Sequence, residues 1–311
     1  MIFGDFVNCK TIFLVAMLVS FKGITVENTY FTWAEFSKNY NNEINSADSV
    51  YFSMESNGLT PYSMLAFDFH FLSDSKAKLN NLALLLKNSY GYKVLEPVKT
   101  ENGAWDLSGK TSPFPVTADN LVYWTLDMYK RGYEFDAKFE GFGAPFDKNN
   151  QFFPPFEATT ADEFFNKGFD YYNQGNLSAA IAQWTNTLKV NSKDVDALYS
   201  RAIAKNELYA SNAAMIDYDK AIEIAPNFSS ALLNRGALKD DNGDHLGAIA
   251  DYGTVIEIIP KDEITLQRAY ANMANSFKAL GDLKAACQNW KKAKELGADY
   301  VNALLAEYCK S

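Results

Sequence analysis

Small and aromatic residues in the second half of the chain recur with a period of 34. Three alanines stand 34 residues apart, and an aromatic residue follows each of them four positions later. A fourth alanine and aromatic pair comes after 38 residues, which indicates a four-residue insertion near Glu263 to Leu266. A fixed period of this length is typical of stacked helix pairs. The pairs are Ala180 and Trp184, Ala214 and Tyr218, Ala248 and Tyr252, and Ala286 and Trp290.

A glycine followed by Asn or Asp separates the two helices in three of the four predicted pairs. Glycine supplies a left-handed residue at the end of one helix, and Asn or Asp caps the start of the next. The second pair departs from this pattern, with Tyr209 to Asn212 at its turn. The other turns are Gly175-Asn176, Gly243-Asp244 and Gly281-Asp282.

These residues resemble the tetratricopeptide repeat (TPR) over about 161–296. The resemblance implies an all-α solenoid of four repeats that holds a protein partner in its groove. A final helix is predicted over Ala298 to Lys310, after the Gly297 stop, to cover the apolar face of the last repeat.

One stretch in the first half of the chain alternates apolar and polar residues, which is typical of a strand. In Met64 to Leu72, Leu65, Phe67, Phe69 and Phe71 share one face, and Asp68 and His70 share the other. Such alternation predicts a half-buried strand. Two helices are predicted before it, one from Trp33 with Thr32 as its cap and one over Ala47 to Asn57. The later elements are a helix over Ser75 to Asn88, strands over Tyr92 to Lys99 and Ala104 to Lys110, a helix over Thr117 to Lys130 and a strand over Glu134 to Phe142.

The order βαββαβ predicts a ferredoxin-like domain, so the chain as a whole is expected to be of the α+β class. This half resembles the regulator of ribonuclease E activity B (RraB) family. The resemblance implies a domain that binds and inhibits a ribonuclease, although the family's long acidic tail is absent and the repeat array stands in its place. It rests on DFHF at 68–71, YGYKV at 90–94, WDLSG at 105–109 and FDAKFEGFGAPF at 135–146.

The patterns divide the chain into four parts: a leader (1–26), an RraB-like domain (27–148), a linker (149–160) and the TPR array (161–311). The leader contains an eleven-residue apolar run, Thr11 to Phe21, between two lysines. This length suits a signal peptide and is too short to span a bilayer. An early buried element, or a start codon placed too far upstream, would explain the run equally well. We therefore favour a cytoplasmic protein, with export as the alternative.

The charge of −9 disfavours direct binding to nucleic acid, because neither half of the chain has the positive excess that releases phosphate counterions. The three cysteines and two histidines form no cluster with the number of ligands that a structural zinc site needs. Motifs of nucleotide-binding loops, calcium loops and nucleophilic enzymes are missing or misplaced. We predict no catalytic residue, no metal and no cofactor.

The first helix of each repeat is expected to line the concave groove with its positions 5, 9 and 12. The groove is then aromatic at its N-terminal end, which favours contact with a protein. The aromatic residues could instead dock against the linker or the first domain, and the Lys, Asn and Arg set that grips a peptide's terminal carboxylate in some TPR proteins is absent. The predicted partner-binding residues are Phe165, Phe169, Tyr172, Tyr199, Asn206, Leu233 and Asp240.

Two further spacings predict contacts between neighbouring helices. Arg201 and Asp217 are 16 residues apart, as are Arg235 and Asp251, so each pair is expected to join the two helices of one repeat. Cys287 and Cys309 lie ten residues before and twelve after Gly297. We expect both thiols to be largely buried, with α-carbons within the range of about 4.4 to 6.8 Å for a disulfide or slightly outside it. An oxidising compartment would close the bond, whereas the cytosol would leave two thiols.

The sequence favours a non-catalytic adaptor that binds protein partners through its groove and its first domain. A regulator that inhibits a ribonuclease is the alternative, and an enzyme of unknown type is the third.

Overall fold

The computed structural model describes residues 28–153, 160–258 and 262–309. An N-terminal domain with a small sheet is followed by an array of antiparallel helix pairs. The elements of the N-terminal domain are α1 (Trp33–Ser56), β1 (Met64–Leu65), β2 (Asp68–Ser73), α2 (Lys76–Tyr90), β3 (Lys93–Val94), β4 (Val98–Lys99), β5 (Trp105–Lys110), β6 (Phe114–Pro115), α3 (Ala118–Glu134) and β7 (Lys138–Gly143).

The main sheet is antiparallel throughout, with the strand order β3-β5-β2-β7 and with β4 also paired to β5. The predicted alternation along β2 is confirmed, because Phe67, Phe69 and Phe71 are fully buried while Asp68 and His70 are exposed. These rings share one hydrophobic core with residues of α1, α2 and α3.

Helix α1 corrects the prediction of two separate helices. The helix is continuous over 24 residues, and Thr32 caps it through its hydroxyl as expected. Phe36 and Tyr51 lie in the core of the domain, and between them Tyr40 and Ile44 pack against the helical array. The spacing of these residues continues one apolar stripe through a polar stretch. The stripe packs against the N-terminal domain at its two ends and against the helical array in between. The sequence pattern therefore does not reveal one continuous helix.

Two predicted strands are each divided in two. The stretch from Met64 to Leu72 forms β1, which pairs with β6 in a separate two-stranded sheet, and then β2 in the main sheet. The stretch from Tyr92 to Lys99 forms β3 and β4 on either side of 95–97. Pro97 has no N–H to donate to a strand ladder, which accounts for the second break.

The array consists of four helix pairs and a final helix, so the prediction of a TPR-like solenoid is confirmed. The helices are α4 (Ala161–Asn173), α5 (Leu177–Val190), α6 (Val195–Glu207), α7 (Ser211–Ile224), α8 (Ser229–Asp241), α9 (His245–Ile258), α10 (Glu263–Ala279), α11 (Leu283–Glu295) and α12 (Asn302–Tyr308). The four-residue insertion lengthens α10 to 17 residues, whereas α4, α6 and α8 have 13.

The end of the array differs in detail from the predicted helix over Ala298 to Lys310. The chain makes a 3-10 turn, Asp299–Val301, before the short helix α12. Cys287 and Cys309 form a disulfide with α-carbons 5.6 Å apart, as the spacing predicts. Both cysteines are half-buried rather than largely buried, because α12 covers α11 with one face only.

Candidate protein-binding groove

Within each repeat the second helix places a large aromatic ring against a small residue of the first. Trp184 is 1% exposed, and a Cβ on Gly168 would come within 2.6 Å of its Nε1. Gly236 and Tyr252 make the same close approach in the third repeat, also at 2.6 Å. The glycines therefore let the two helices approach each other, which fixes the walls of the groove.

The predicted ion pairs join the helices of the second and third repeats. Arg201 donates two hydrogen bonds to the Asp217 carboxylate, at 2.8 and 2.6 Å, and Lys205 adds an ion pair at 2.8 Å. Burial lowers the pKa of Lys205, while the negative charge of Asp217 works in the opposite direction. Arg235 and Asp251 repeat the two-bond geometry at 2.9 and 2.6 Å. Because all of these groups satisfy one another, the pairs are structural.

Two of the predicted groove residues, Leu233 and Asp240, contact the neighbouring fourth repeat. Leu233 is 3% exposed and belongs to the core between the third repeat and α10. Asp240 accepts hydrogen bonds from Tyr252 at 3.1 Å and from Ser276 at 2.7 Å, and His245 Nδ1 lies 2.9 Å from its other oxygen. Asp240 therefore joins two repeats.

The other predicted residues lie around repeats one and two. Phe165 is 8% exposed and packs against the Trp184 ring, with ring centres 6.5 Å apart. Phe169, Tyr199 and Asn206 are half-buried. The Tyr199 ring lies 5.0 Å from that of Phe228, and Asn234 donates to its hydroxyl at 3.2 Å. We call the half-buried surface of Phe169, Tyr172, Tyr199, Ile203 and Asn206 the aromatic groove.

A small cleft opens within the aromatic groove, with a volume of about 10 Å³. That is room for about one water-sized group. Aromatic and aliphatic side chains form most of its wall, and Ser200 contributes one polar group. The lining residues are Phe169, Tyr172, Trp184, Ser200 and Ile203.

The N-terminal domain contacts the array at the turns of repeats one and two. Leu126 of α3 belongs to the core of the first repeat, so α3 completes that core. Tyr172 donates a hydrogen bond to Glu207, whose pKa is raised by burial. Tyr172 also packs against this shared core. Tyr172 therefore packs against a core that contains Leu126 of the N-terminal domain.

A buried polar network ties the domain to the first turn of the array. Asp127 is fully buried and accepts hydrogen bonds from the backbone N–H of Ser178 at 3.0 Å and from its hydroxyl at 2.9 Å. Arg131 donates to the Tyr90 hydroxyl at 2.8 Å and to the Gly175 carbonyl at 2.5 Å. A carboxylate from another domain thus caps the N-terminus of α5.

The pKa directions of this network agree with its geometry. Burial raises the pKa of Tyr90, and the Asp127 charge raises it further. Burial alone would lower the pKa of Arg131, but the neighbouring carboxylates of Asp127 and Glu134 raise it above its ordinary value. The network therefore holds a protonated tyrosine and a charged arginine at the domain boundary.

The unusual second turn is a further point of domain contact. Tyr209 has a φ of +62°, a left-handed conformation that normally favours glycine. Its ring lies 5.5 Å from that of Trp33 and 5.3 Å from that of Phe36. Tyr40 donates to the carbonyl of Leu208 at 2.6 Å. The departure from the glycine pattern thus falls where α1 covers the turn.

His70 has two polar neighbours on the exposed face of the sheet. Its Nδ1 lies 3.0 Å from the Ser108 hydroxyl and 3.6 Å from Asp106. Ser108 can also donate to Asp106, at 2.7 Å. In a catalytic triad the histidine bridges serine and carboxylate through its two different nitrogens. Here one nitrogen faces both groups, so the cluster lacks that arrangement.

Across residues 28–153, 160–258 and 262–309, no group of His, Cys, Asp and Glu could hold a metal ion. No helix in the same ranges is long and apolar enough to cross a membrane. The apolar run Thr11 to Phe21 and the leader boundary at 26 lie outside the described residues.

Comparisons with known proteins give only partial likenesses. No family model matches the chain, and no curated protein matches it either. The resemblance to the RraB family therefore has no support from these comparisons.

Solved structures match part of the chain. MamA is 23% identical over 45% of this chain and 80% of its own, with a TM-score of 0.42. The first TPR of Spaghetti (RPAP3), bound to an HSP90 peptide, is 23% identical over 40% and 96%, with a TM-score of 0.37. The Arabidopsis OM64 TPR domain is 23% identical over 38% and 95%, with a TM-score of 0.36.

Proposed function

We propose that this protein is a non-catalytic adaptor that holds a protein partner in the aromatic groove of its TPR-like array. The main support is that Phe169 and Tyr199 are only half-buried at groove positions, whereas the aromatic residues of the repeat cores are almost fully buried. Aromatic side chains that remain partly exposed in a concave surface are typical anchors of protein interfaces.

The supporting argument is the rigidity of the groove. Ion pairs fix the helices of repeats two and three, and the N-terminal domain fixes the turns of repeats one and two. A partner would therefore meet a surface that is already ordered, which reduces the entropy lost on binding.

We also propose the finer description of the N-terminal half. The strand order β3-β5-β2-β7, the antiparallel pairing and the two intervening helices support a ferredoxin-like domain. We propose domain boundaries of 27–148 and 161–311, with a linker between them. In this arrangement the N-terminal domain acts as the cover of the first repeat.

The test is isolation of a partner with the full chain and with two matched variants. Phe169→Glu places a charge in the groove, whereas Leu246→Glu places the same charge at a side chain that is 70% exposed on α9. We expect Phe169→Glu to lose the partner and Leu246→Glu to retain it, with similar melting temperatures. The identified partner is then purified and its binding to each variant measured directly. If both variants bind equally well, the groove is not the contact surface.

A further inference from the structure

The last helix, α12, covers the end of the array with few contacts of its own. It has seven residues, and none of them is buried. Half-buried Leu304, Leu305 and Tyr308 pack against the core of the fourth repeat. The Tyr308 ring lies 6.0 Å from that of Trp290, and the Lys278 amine lies 4.1 Å from the centre of the Tyr308 ring. A helix this short is unstable alone, so it depends on these contacts and on the disulfide.

The turn just before α12 is held more firmly than the helix. Ala298 and Val301 are at most 1% exposed, and the Ala298 N–H donates to the Ala293 carbonyl at 3.0 Å. In contrast, no hydrogen bond or ion pair between described residues joins α12 to α10 or α11. The chain therefore changes at Val301 from a tightly packed turn to a helix that is held by apolar contacts and one covalent bond.

The surface beneath α12 is apolar. Trp290, Ala286 and Ala293 of α11 are fully buried and share one core with the side chains of α12. If α12 left this position, part of that core would face water. The position of α12 therefore decides whether the end of the fourth repeat is covered.

We propose that the Cys287–Cys309 disulfide is a redox switch for the position of α12. While the bond is closed, α12 stays on α11. After reduction, α12 dissociates from α11 at Val301 and uncovers the apolar end of the fourth repeat. In an oxidising compartment this end is covered, and in a reducing one it is open.

The reductant is a dithiol, and the exchange is balanced. One thiolate of the dithiol attacks a sulfur of the pair, which forms a mixed disulfide and frees the other cysteine. The second thiolate then frees the remaining cysteine. The protein gains two thiols with the two protons of the dithiol, and the dithiol becomes a disulfide. Both cysteines are half-buried, so part of the pair is open to solvent.

The experiment compares the full chain in its oxidised form and after treatment with dithiothreitol. Every sample carries Cys9→Ser, so that Cys287 and Cys309 are the only cysteines. Hydrogen exchange, followed by mass spectrometry, should quicken about tenfold or more in α12, because a helix without its lock opens locally. It should be unchanged in α4 to α9. A fluorescent apolar dye should bind the reduced chain alone, and reoxidation should reverse both effects.

Matched variants separate the bond from the packing. With Cys287→Ser and Cys309→Ser together, exchange in α12 should be fast and the dye should bind, with or without dithiothreitol. Tyr308→Ala removes the ring beside Trp290 but keeps the bond. In its oxidised form exchange in α12 should stay slow, and reduction should then make it fast.

Three outcomes would overturn the proposal. Slow exchange in α12 of the reduced chain would mean that packing alone holds the helix. Fast exchange in oxidised Tyr308→Ala would assign the closed state to the ring instead of the bond. Equal quickening in α4 to α9 would make the disulfide a staple of the whole array. None of these outcomes bears on partner binding in the aromatic groove.

Discussion

The two ends of the helical array are covered in different ways. At the N-terminal end a whole domain packs on the first repeat, with Leu126 in its core and Asp127 at the start of α5. At the C-terminal end the cover is the seven-residue helix α12, joined to α11 by the Cys287–Cys309 disulfide. A helix this short has little stability of its own. The comparison shows that a large cover can be held by packing and hydrogen bonds, whereas a small one is secured by a covalent bond.

The largest effect is expected at the domain boundary. Asp127→Ala leaves the hydroxyl of Tyr90 and the backbone N–H and hydroxyl of Ser178 without their acceptor, and it removes one of the two carboxylates beside Arg131. Because each buried donor left unpaired costs about 1 to 3 kcal/mol, we expect a total loss of about 3 to 5 kcal/mol. Chemical denaturation should show this loss in the free energy of unfolding. A loss below about 1 kcal/mol would mean that water reaches the network and replaces the carboxylate.

Loss of the disulfide should lower the free energy of unfolding somewhat less than Asp127→Ala does. The cysteines are 22 residues apart, and for a loop of this size the chain-entropy treatment gives about 3 kcal/mol of stabilisation. Replacing both cysteines with serine should lower the melting temperature and speed amide exchange in α11 and α12. Mass spectrometry of protein with thiols blocked at lysis shows whether the bond is present in the cell. Disulfides persist mainly in oxidising compartments, so its presence would favour export.

Removal of the N-terminal domain sharpens the comparison. We expect a fragment of residues 161–311 to remain helical, because each repeat packs on its neighbours. Helix α5 should lose its Asp127 cap, which costs about 0.5 to 2 kcal/mol. Hydrogen exchange should therefore quicken about tenfold in α5 while α8 and α9 are unchanged. Loss of all helical signal would show that the array depends on the domain.

Substitution of Tyr209 should give the smallest change in the free energy of unfolding. The change should depend on whether the N-terminal domain is present. Tyr209→Gly relieves the left-handed conformation, worth about 1 kcal/mol, but removes ring contacts worth about 0.5 to 1.5 kcal/mol. In the full chain the two effects should nearly cancel. In the 161–311 fragment, which lacks Trp33 and Phe36, the same change should stabilise by about 1 kcal/mol. Identical effects in both proteins would mean that the domain does not hold this turn.

The repeats could be predicted because each contains its own turn and packing residues. A glycine, a capping residue and an aromatic at fixed spacing require no knowledge of distant parts of the chain. The pairing of Arg201 with Asp217 follows from the same local geometry. The proximity of Cys287 and Cys309 also follows, since they lie ten residues before and twelve after Gly297, and antiparallel helices joined there bring them to nearly the same height.

The domain boundary could not be predicted, because its contacts join residues far apart in sequence. Nothing near Asp127 or Arg131 shows that they will form hydrogen bonds with a turn 44 to 51 residues later. Tyr209 was the one visible signal, since it departs from the glycine pattern where α1 covers the turn. The burial of the Trp184 N–H without a hydrogen-bond partner among the described residues becomes visible only in the structure.

Helix α10 shows how the array tolerates changes in length. Four added residues advance a helix by about 6 Å and rotate it by about 400°, which is only about 40° beyond one full turn. Ala271 and Ala274 therefore still face α11 and remain at most 3% exposed. Two residues added inside the helix, just before Ala271, would instead rotate Ala269 by about 200° relative to Ala271 and Ala274 and carry it away from the third repeat. Insertions into these helices therefore keep the packing of the stack when they add nearly whole helical turns. We expect related chains to gain residues inside these helices in sets of about three or four.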